Sequence, residues 1–331
     1  MHYITTFIRQ MQINTVIMMK IKLAIIMLLT AATLFAGEIK RDTYVFGIEG
    51  SDTLRVDTYR ATGLECYSSL RPVVVFAFGG GFRTGSRSES DYIGFFHYLA
   101  NQGIIVVSTD YRTGLKNLDP AAIKTPGDFT AALQNAIGMA VTDFYGATAF
   151  VLEKCGEWGG DPGKIIACGS SAGAITALQA EYMICNGSPL AARLPEGFNY
   201  AGVISFAGAI CSEEPMAWKS NPCPMMLFQG DADRMVPYGK VLVDGKGLFG
   251  SRAIADCLKA AGSPYWFYTI SGAGHEMAGT PMTDKLEEIL FFISRFVIGG
   301  DKSCTETVVP GKTGYKTDFT IEDYIRANMP Q

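Results

Sequence analysis

Histidine is scarce in this chain, three in 331 residues. No C-x-x-C or H-E-x-x-H spacing occurs, so the donor sets of the common zinc sites are missing and neither a metal nor a cofactor is expected. No internal repeat is present. Charged residues make up 18% of the chain and the formal net charge is −4, so the basic excess that would draw nucleic acid or an anionic membrane surface is lacking. Long apolar runs are lacking too: the run Leu23 to Leu29 is too short to span a bilayer. What remains is a chain of 48% hydrophobic residues, enough for one sizeable core.

The N-terminus has the layout of an export signal. Met18-Met19-Lys20-Ile21-Lys22 is a basic start, Leu23 to Leu29 an apolar core, and Ala31 to Ala36 ends in small residues. A cut after Ala36 is expected, giving a periplasmic or secreted protein with no stable membrane insertion. Met1 to Thr15 reads as an upstream start-site artefact, and the alternative to the whole reading is an N-terminal anchor helix. Residues 1–36 hold Arg9, Lys20 and Lys22 and no acidic residue, so the mature chain is more acidic still. All eight cysteines lie beyond residue 36, where an oxidising compartment allows pairing. Cys211 and Cys223 are the best-placed pair, since they flank one excursion between two strands. Cys168 lies inside a strand and reads as a buried free thiol.

Gly169-Ser170-Ser171-Ala172-Gly173 follows the apolar run Lys164 to Cys168 and opens into the helical Ile175 to Ala180. Strand, G-x-S-x-G, helix is the setting of a nucleophile elbow, which holds its central serine, here Ser171, exposed on a tight turn. Three histidines are available as its base. His2 is in the leader, and His97 lies in the apolar helical stretch Tyr92 to Leu99. His275 sits in a Gly-rich loop, Ser271-Gly272-Ala273-Gly274-His275, after the aromatic strand Tyr265 to Ile270. It is the expected general base. Between serine and histidine, the strand Met225 to Gly230 ends in two carboxylates, Asp231 and Asp233. Either preserves the chain order Ser, Asp, His. A fourth element, Gly79-Gly80-Gly81, follows the strand Val73 to Phe76. Its uncovered backbone N–H groups suit an oxyanion hole, with Gly80 or Gly81 acting together with the amide of Ala172.

Together these stretches resemble the α/β-hydrolase fold, specifically the carboxylesterase and lipase-like branch with an H-G-G-G-F oxyanion loop and a G-x-S-A-G elbow. The resemblance runs from about Tyr44 to Val297. Ser108-Thr109-Asp110-Tyr111-Arg112 is similar to the family's V-D-Y-R strand end, and Trp158 to Ile165 to its G-G-D-P-x-[RK]-I lead into the elbow. The family's G-x-x-D-x-x-V-P pattern, counted from Gly230, favours Asp233 over Asp231. One departure stands out: Phe78 occupies the position of the histidine that orders the family's oxyanion loop.

The expected fold is therefore α/β, a mostly parallel doubly wound sheet with helices on both faces and no large cap domain. Strands are expected near 43–48, 53–59, 72–78, 104–109, 164–169, 201–208, 224–230 and 264–270. The first two suit an antiparallel edge hairpin. Helices are expected near 87–101, 128–156, 172–185, 246–261 and 282–297. The catalytic domain spans 37–298, and 299–331 reads as a polar tail with a short helical pattern at Ile321 to Ala327. The interval from Ser171 to Asp233 leaves no room for a large cap, so an open cleft is expected, bordered by Phe82 to Arg87 and by Asn186 to Asn199. Arg83 and Arg87 are candidates to meet an anionic or polyhydroxylated substrate, though the preferred reading is solvated loop arginines, and Tyr111 and Arg112 read as structural. The resemblance implies a serine carboxylic-ester hydrolase acting on small-molecule or polysaccharide-linked esters, and export with an open cleft favours acetyl or feruloyl esters of plant polysaccharide over long-chain lipid. A serine peptidase of the same fold and a non-catalytic binding relative are the alternatives.

Overall fold

The computed structural model describes residues 37–63, 70–311, 313–314 and 320–328. Residues 1–36, which read as an export signal, and Cys66 lie outside these residues.

A nine-stranded sheet runs in the order β1-β2-β4-β3-β5-β6-β8-β11-β12. Its centre is built from β3 (Arg71–Ala77), β4 (Ile105–Thr109), β5 (Gly160–Ser170), β6 (Gly202–Phe206), β8 (Met225–Gly230) and β11 (Tyr265–Ile270), all parallel. These strands are near-continuous apolar runs because both faces are covered, and Val73, Ile105, Ile166, Val203 and Leu227 have no exposed surface. β1 (Ile39–Glu49) and β2 (Asp52–Ala61) form the antiparallel edge hairpin. On one face lie α1 (Ser90–Asn101) and α5 (Leu286–Phe292), which continues as a π-helical turn to Ile298. The other face carries α2 (Pro126–Lys154), α3 (Ala172–Cys185) and α4 (Ser251–Ala261). Helix α3 is buried almost all round, as befits a helix lodged behind the sheet centre.

Three local features depart from the sequence expectation. Helix α2 starts earlier, at Pro126, because Thr125 and Asp128 form a reciprocal capping box with proline in the first turn. Residues 246–250 are strand, not helix: β10 (Lys246–Gly250) pairs with β7 (Ala209–Glu213) and β9 (Lys240–Val243) in a small antiparallel sheet. The segment beyond 298 is partly built into the domain. β12 (Cys304–Val309) adds a parallel edge strand against β11, and α6 (Ile321–Asn328) returns toward the sheet's C-terminal edge.

The described cysteines are free thiols, Cys211 and Cys223 included. Each is held against helix α3 by a different residue: the Cys211 amide donates to Gln179 Oε1 and the Cys223 amide to Glu181 Oε1. Two positions apart on a helix point to opposite sides, so the two thiols are kept apart. Cys168 is fully buried in β5, and burial pushes its thiol pKa up.

Candidate active site

The parallel strands end along one edge, and four of them deliver the chemistry there. β5 runs into Ser171, which has φ 51° and ψ −117°, an uncommon backbone state for a residue with a Cβ. The flanking glycines make this turn possible. A Cβ on Gly173 would lie 2.1 Å from the carbonyl oxygen of Ala77, and one on Gly169 would lie 2.3 Å from Gly173. The elbow thus packs directly against the strand that leads into the oxyanion loop.

Ser171 Oγ lies 2.8 Å from His275 Nε2. His275 Nδ1 lies 2.9 Å from Asp233 Oδ2. Asp233 is buried, 2% exposed, and its carboxylate is fully engaged. Oδ1 accepts the amides of Met235 at 2.8 Å and Val236 at 3.1 Å, and Oδ2 also accepts Gln229 Nε2 at 3.0 Å. Asp231 is elsewhere: its Oδ1 accepts the Gly272 amide at 2.7 Å, which pins the start of the histidine loop. Asp233, which the family pattern favoured, and its rival Asp231 therefore occupy different places, and Asp233 is the one that meets the imidazole.

Two residues behind Asp233 were not read from the sequence. Gln229 and Ser251 have no exposed surface. Ser251 Oγ donates to Gln229 Oε1 at 2.7 Å, and Gln229 passes its Nε2–H to Asp233 and to the Val236 carbonyl. A glutamine inside the otherwise apolar run Met225 to Phe228 was the available signal, because a buried amide needs partners. Ser170, the other serine of the elbow, has a supporting place. It is buried and donates to the Ala278 carbonyl at 2.8 Å, tying the elbow to the helical turn that carries His275.

The amides of Gly80, Gly81 and Ala172 have no hydrogen-bond partner among the described residues, and all three residues line one cavity with Ser171. Their loop is braced although Phe78 replaces the family's histidine. The Tyr111 hydroxyl donates to the Phe78 carbonyl at 2.7 Å, and the Phe78 ring stacks on Tyr111 at 4.3 Å. The Tyr92 hydroxyl accepts the Gly79 amide at 3.0 Å. Two tyrosines thus hold backbone that the histidine orders elsewhere.

The arginines and the remaining histidine separate clearly. Arg87 is no substrate arginine but bridges Asp57 and Asp110 beneath the loop. Arg112 forks onto the buried Asp143. Arg83 lines the cavity, its guanidinium donating to the carbonyls of Leu115 and Asn328. His97 is exposed on α1, remote from this chemistry. Among the described residues no group of three His, Cys, Asp or Glu side chains is placed to hold a metal ion.

The cavity above Ser171 has a volume of about 480 Å³. Its walls are Phe82 from the oxyanion loop, Leu115, Phe129 and Leu133 at the start of α2, Ile175 on α3 and Val236 beyond Asp233. Residues 186–199 do not border it. They pack on α2 and pair with the edge hairpin through Arg193 and Glu49. The remaining wall is α6, through Tyr324, Ala327 and Asn328, so the cleft is less open than the sequence suggested.

The fold matches solved structures. That of apo Thermogutta terrifontis esterase 2 aligns with a TM-score of 0.56 at 23% identity, covering 78% of this chain and 94% of that one. This chain has the α/β-hydrolase fold. Its residues 31–183 also match the model of the carboxylesterase family, a stretch that takes in the oxyanion loop and the elbow and stops before Asp233 and His275. Among curated relatives of this α/β-hydrolase chain, gut esterase 1 of Caenorhabditis briggsae is 33% identical over 131 residues, 39% of this chain and 21% of that protein. Fumonisin B1 esterase of Sphingopyxis macrogoltabida is 32% identical over 105 residues, 31% of this chain and 18% of that protein. The chain thus spans about a fifth of the length of these two relatives. A longer match, isoprenylcysteine alpha-carbonyl methylesterase of Arabidopsis thaliana, is 24% identical over 281 residues, 73% of this chain and 57% of that protein.

Proposed function

We propose that this α/β-hydrolase chain is an exported serine carboxylic-ester hydrolase. The observation that carries the reading is the continuous line Ser171–His275–Asp233, with the unspent amides of Gly80, Gly81 and Ala172 beside Ser171. His275 Nε2 takes the proton of Ser171 as Oγ attacks the ester carbonyl. The tetrahedral oxyanion is met by the three amides. Asp233 holds the Nδ1–H tautomer and stabilises the imidazolium. The C–O bond to the alcohol then breaks, and the alcohol takes the proton from His275. Water, deprotonated by the same Nε2, attacks the acyl-enzyme and frees the acid and Ser171.

Several relatives bear the word esterase in their names, and the Thermogutta terrifontis enzyme is described as bound to propionate and to butyrate. These support ester over amide bonds and an acyl group of modest size. Acetyl or feruloyl groups on plant polysaccharide are the substrates we favour, given the export-like N-terminus. A fluorophosphonate probe should label the wild type and not Ser171→Ala. Acyl esters should turn over far faster than aminoacyl amides; the reverse order would make the protein a peptidase. N-terminal sequencing of the exported protein should find a start near residue 37, and a chain that keeps its leader and sediments with membranes would refute export in soluble form.

A further inference from the structure

Helix α6 comes from the segment that reads as a polar tail with a short helical pattern, to which the sequence assigns no role, yet it supplies one wall of the cavity above Ser171. Its placement is specific. Tyr324 is buried and meets Phe129 edge-on, ring centroids 5.9 Å apart. Asn328 Nδ2 donates to the Met235 carbonyl at 3.0 Å, and the Asn328 carbonyl accepts Arg83 Nη2 at 3.0 Å. Arg234 and Asp323 are 3.6 Å apart. A guanidinium on the last carbonyl of a helix both satisfies an orphan acceptor and complements the helix dipole. The anchors are telling: Arg83 follows the oxyanion loop directly, and Met235 lies two residues past Asp233. The tail is therefore fastened to both halves of the catalytic machinery, and between the fastenings it turns Tyr324 and Ala327 toward the substrate space.

We propose that Tyr324 and Ala327 set acyl specificity by closing the cavity to long chains, leaving room for medium-length or aryl acyl groups. The proposal rests on the ester-hydrolase reading and adds which residues select the substrate. A volume of about 480 Å³ is within the usual range of small-molecule sites and far exceeds the need of an acetyl group. The lining of Phe129, Leu133, Ile175 and Val236 offers an acyl group apolar contact only. This cavity has Ser171 and His275 in its lining, whereas the neighbouring polar depression beside Glu89 and Asp91 reaches Gly80 but includes neither, so the acyl group is assigned here.

The test compares wild type, Tyr324→Ala and Ala327→Phe in two series. One is turnover of p-nitrophenyl esters from acetate to dodecanoate. The other needs no chemistry: the rise in Tm given by the matching free carboxylates. Tyr324→Ala should raise the kcat/KM ratio of decanoate to butyrate by about tenfold or more, and Ala327→Phe should lower it by a similar factor. The Tm series should shift in the same directions. Because the two substitutions act oppositely, poor folding of Tyr324→Ala still leaves Ala327→Phe as a test. Identical chain-length profiles in all folded proteins overturn the proposal. A wild type that turns over no ester overturns the ester-hydrolase reading instead, and the carboxylate series then decides the wall by itself.

Discussion

Asp233→Asn is the sharpest perturbation available, because the surroundings dictate how the new amide must sit. Oδ1 of Asp233 receives two backbone N–H groups, from Met235 and Val236. An asparagine must turn its oxygen to them, which leaves its NH2 facing His275 Nδ1 and Gln229 Nε2. Gln229 can turn its oxygen to the new NH2, because Ser251 is a hydroxyl that donates or accepts, although the flip gives up its bond to the Val236 carbonyl. His275 has no such freedom. To accept from the new NH2, Nδ1 must lose its hydrogen, and the proton moves to Nε2, where it faces Ser171 and cannot abstract. The imidazolium also loses its counter-charge. The corresponding change in serine proteases lowers kcat about 10⁴-fold, equivalent to about 5 kcal/mol of transition-state stabilisation. The fold should survive, since the Oδ1 contacts are kept. The assay is p-nitrophenyl acetate turnover on protein with wild-type circular dichroism, alongside Asp231→Asn. If Asp233→Asn keeps more than about a tenth of the wild-type kcat, or if Asp231→Asn is the damaging change, the argument from hydrogen-bond direction fails.

Gln229→Leu removes one bond each from Asp233 and the Val236 carbonyl and leaves the buried Ser251 hydroxyl only its long 3.5 Å bond to the Gly208 carbonyl, so a stability loss of about 1–3 kcal/mol by urea denaturation is expected, with kcat falling more than KM rises; wild-type kcat would show that Asp233 needs no support from behind. Ser170→Ala should lower both stability, by about 1 kcal/mol, and kcat, because it frees the Ala278 carbonyl under the His275 turn; an unchanged pair of values would make the bond incidental. Glu181 is buried and its Oε2 has no partner, and desolvation raises its pKa from the ordinary 4.5. Its protonated form is thus favoured by folding, so its stabilising contribution is complete below about pH 4.5 and is lost as pH rises through the elevated folded value. Glu181→Gln should flatten the fall in Tm over that rise; a parallel fall in both proteins would assign the pH dependence to other groups.

The sheet and most of the site were legible in the sequence because their signals are local. Strands buried on both faces must be apolar runs, and Val73 to Phe76 or Met225 to Phe228 fit nothing else in so small a span. The elbow announces itself because two neighbouring backbones admit no Cβ at 169 and 173, so Gly-x-Ser-x-Gly is dictated by sterics within a few residues of chain. Histidine scarcity did the rest, leaving His275 as the candidate base by elimination. Tertiary structure decided what depends on residues far apart in the chain. The family pattern favoured Asp233 over Asp231, but the residues by themselves gave no physical reason; the folded turn at Gly230 to Val236 supplies it, aiming one carboxylate at the imidazole and the other at Gly272. Phe78 signalled a missing support, whereas Tyr92 and Tyr111 supply it from separate strand and helix ends. β12 carries only a one-faced alternation, as an edge strand does, and that pattern is faint beside polar neighbours. Helix α6 became part of the cavity only through long-range partners, Arg83, Phe129 and Met235, that no spacing along the tail encodes. Local sterics and burial are written residue by residue; the choice of wall, support and acid partner is made by contacts that exist only once the sheet has assembled.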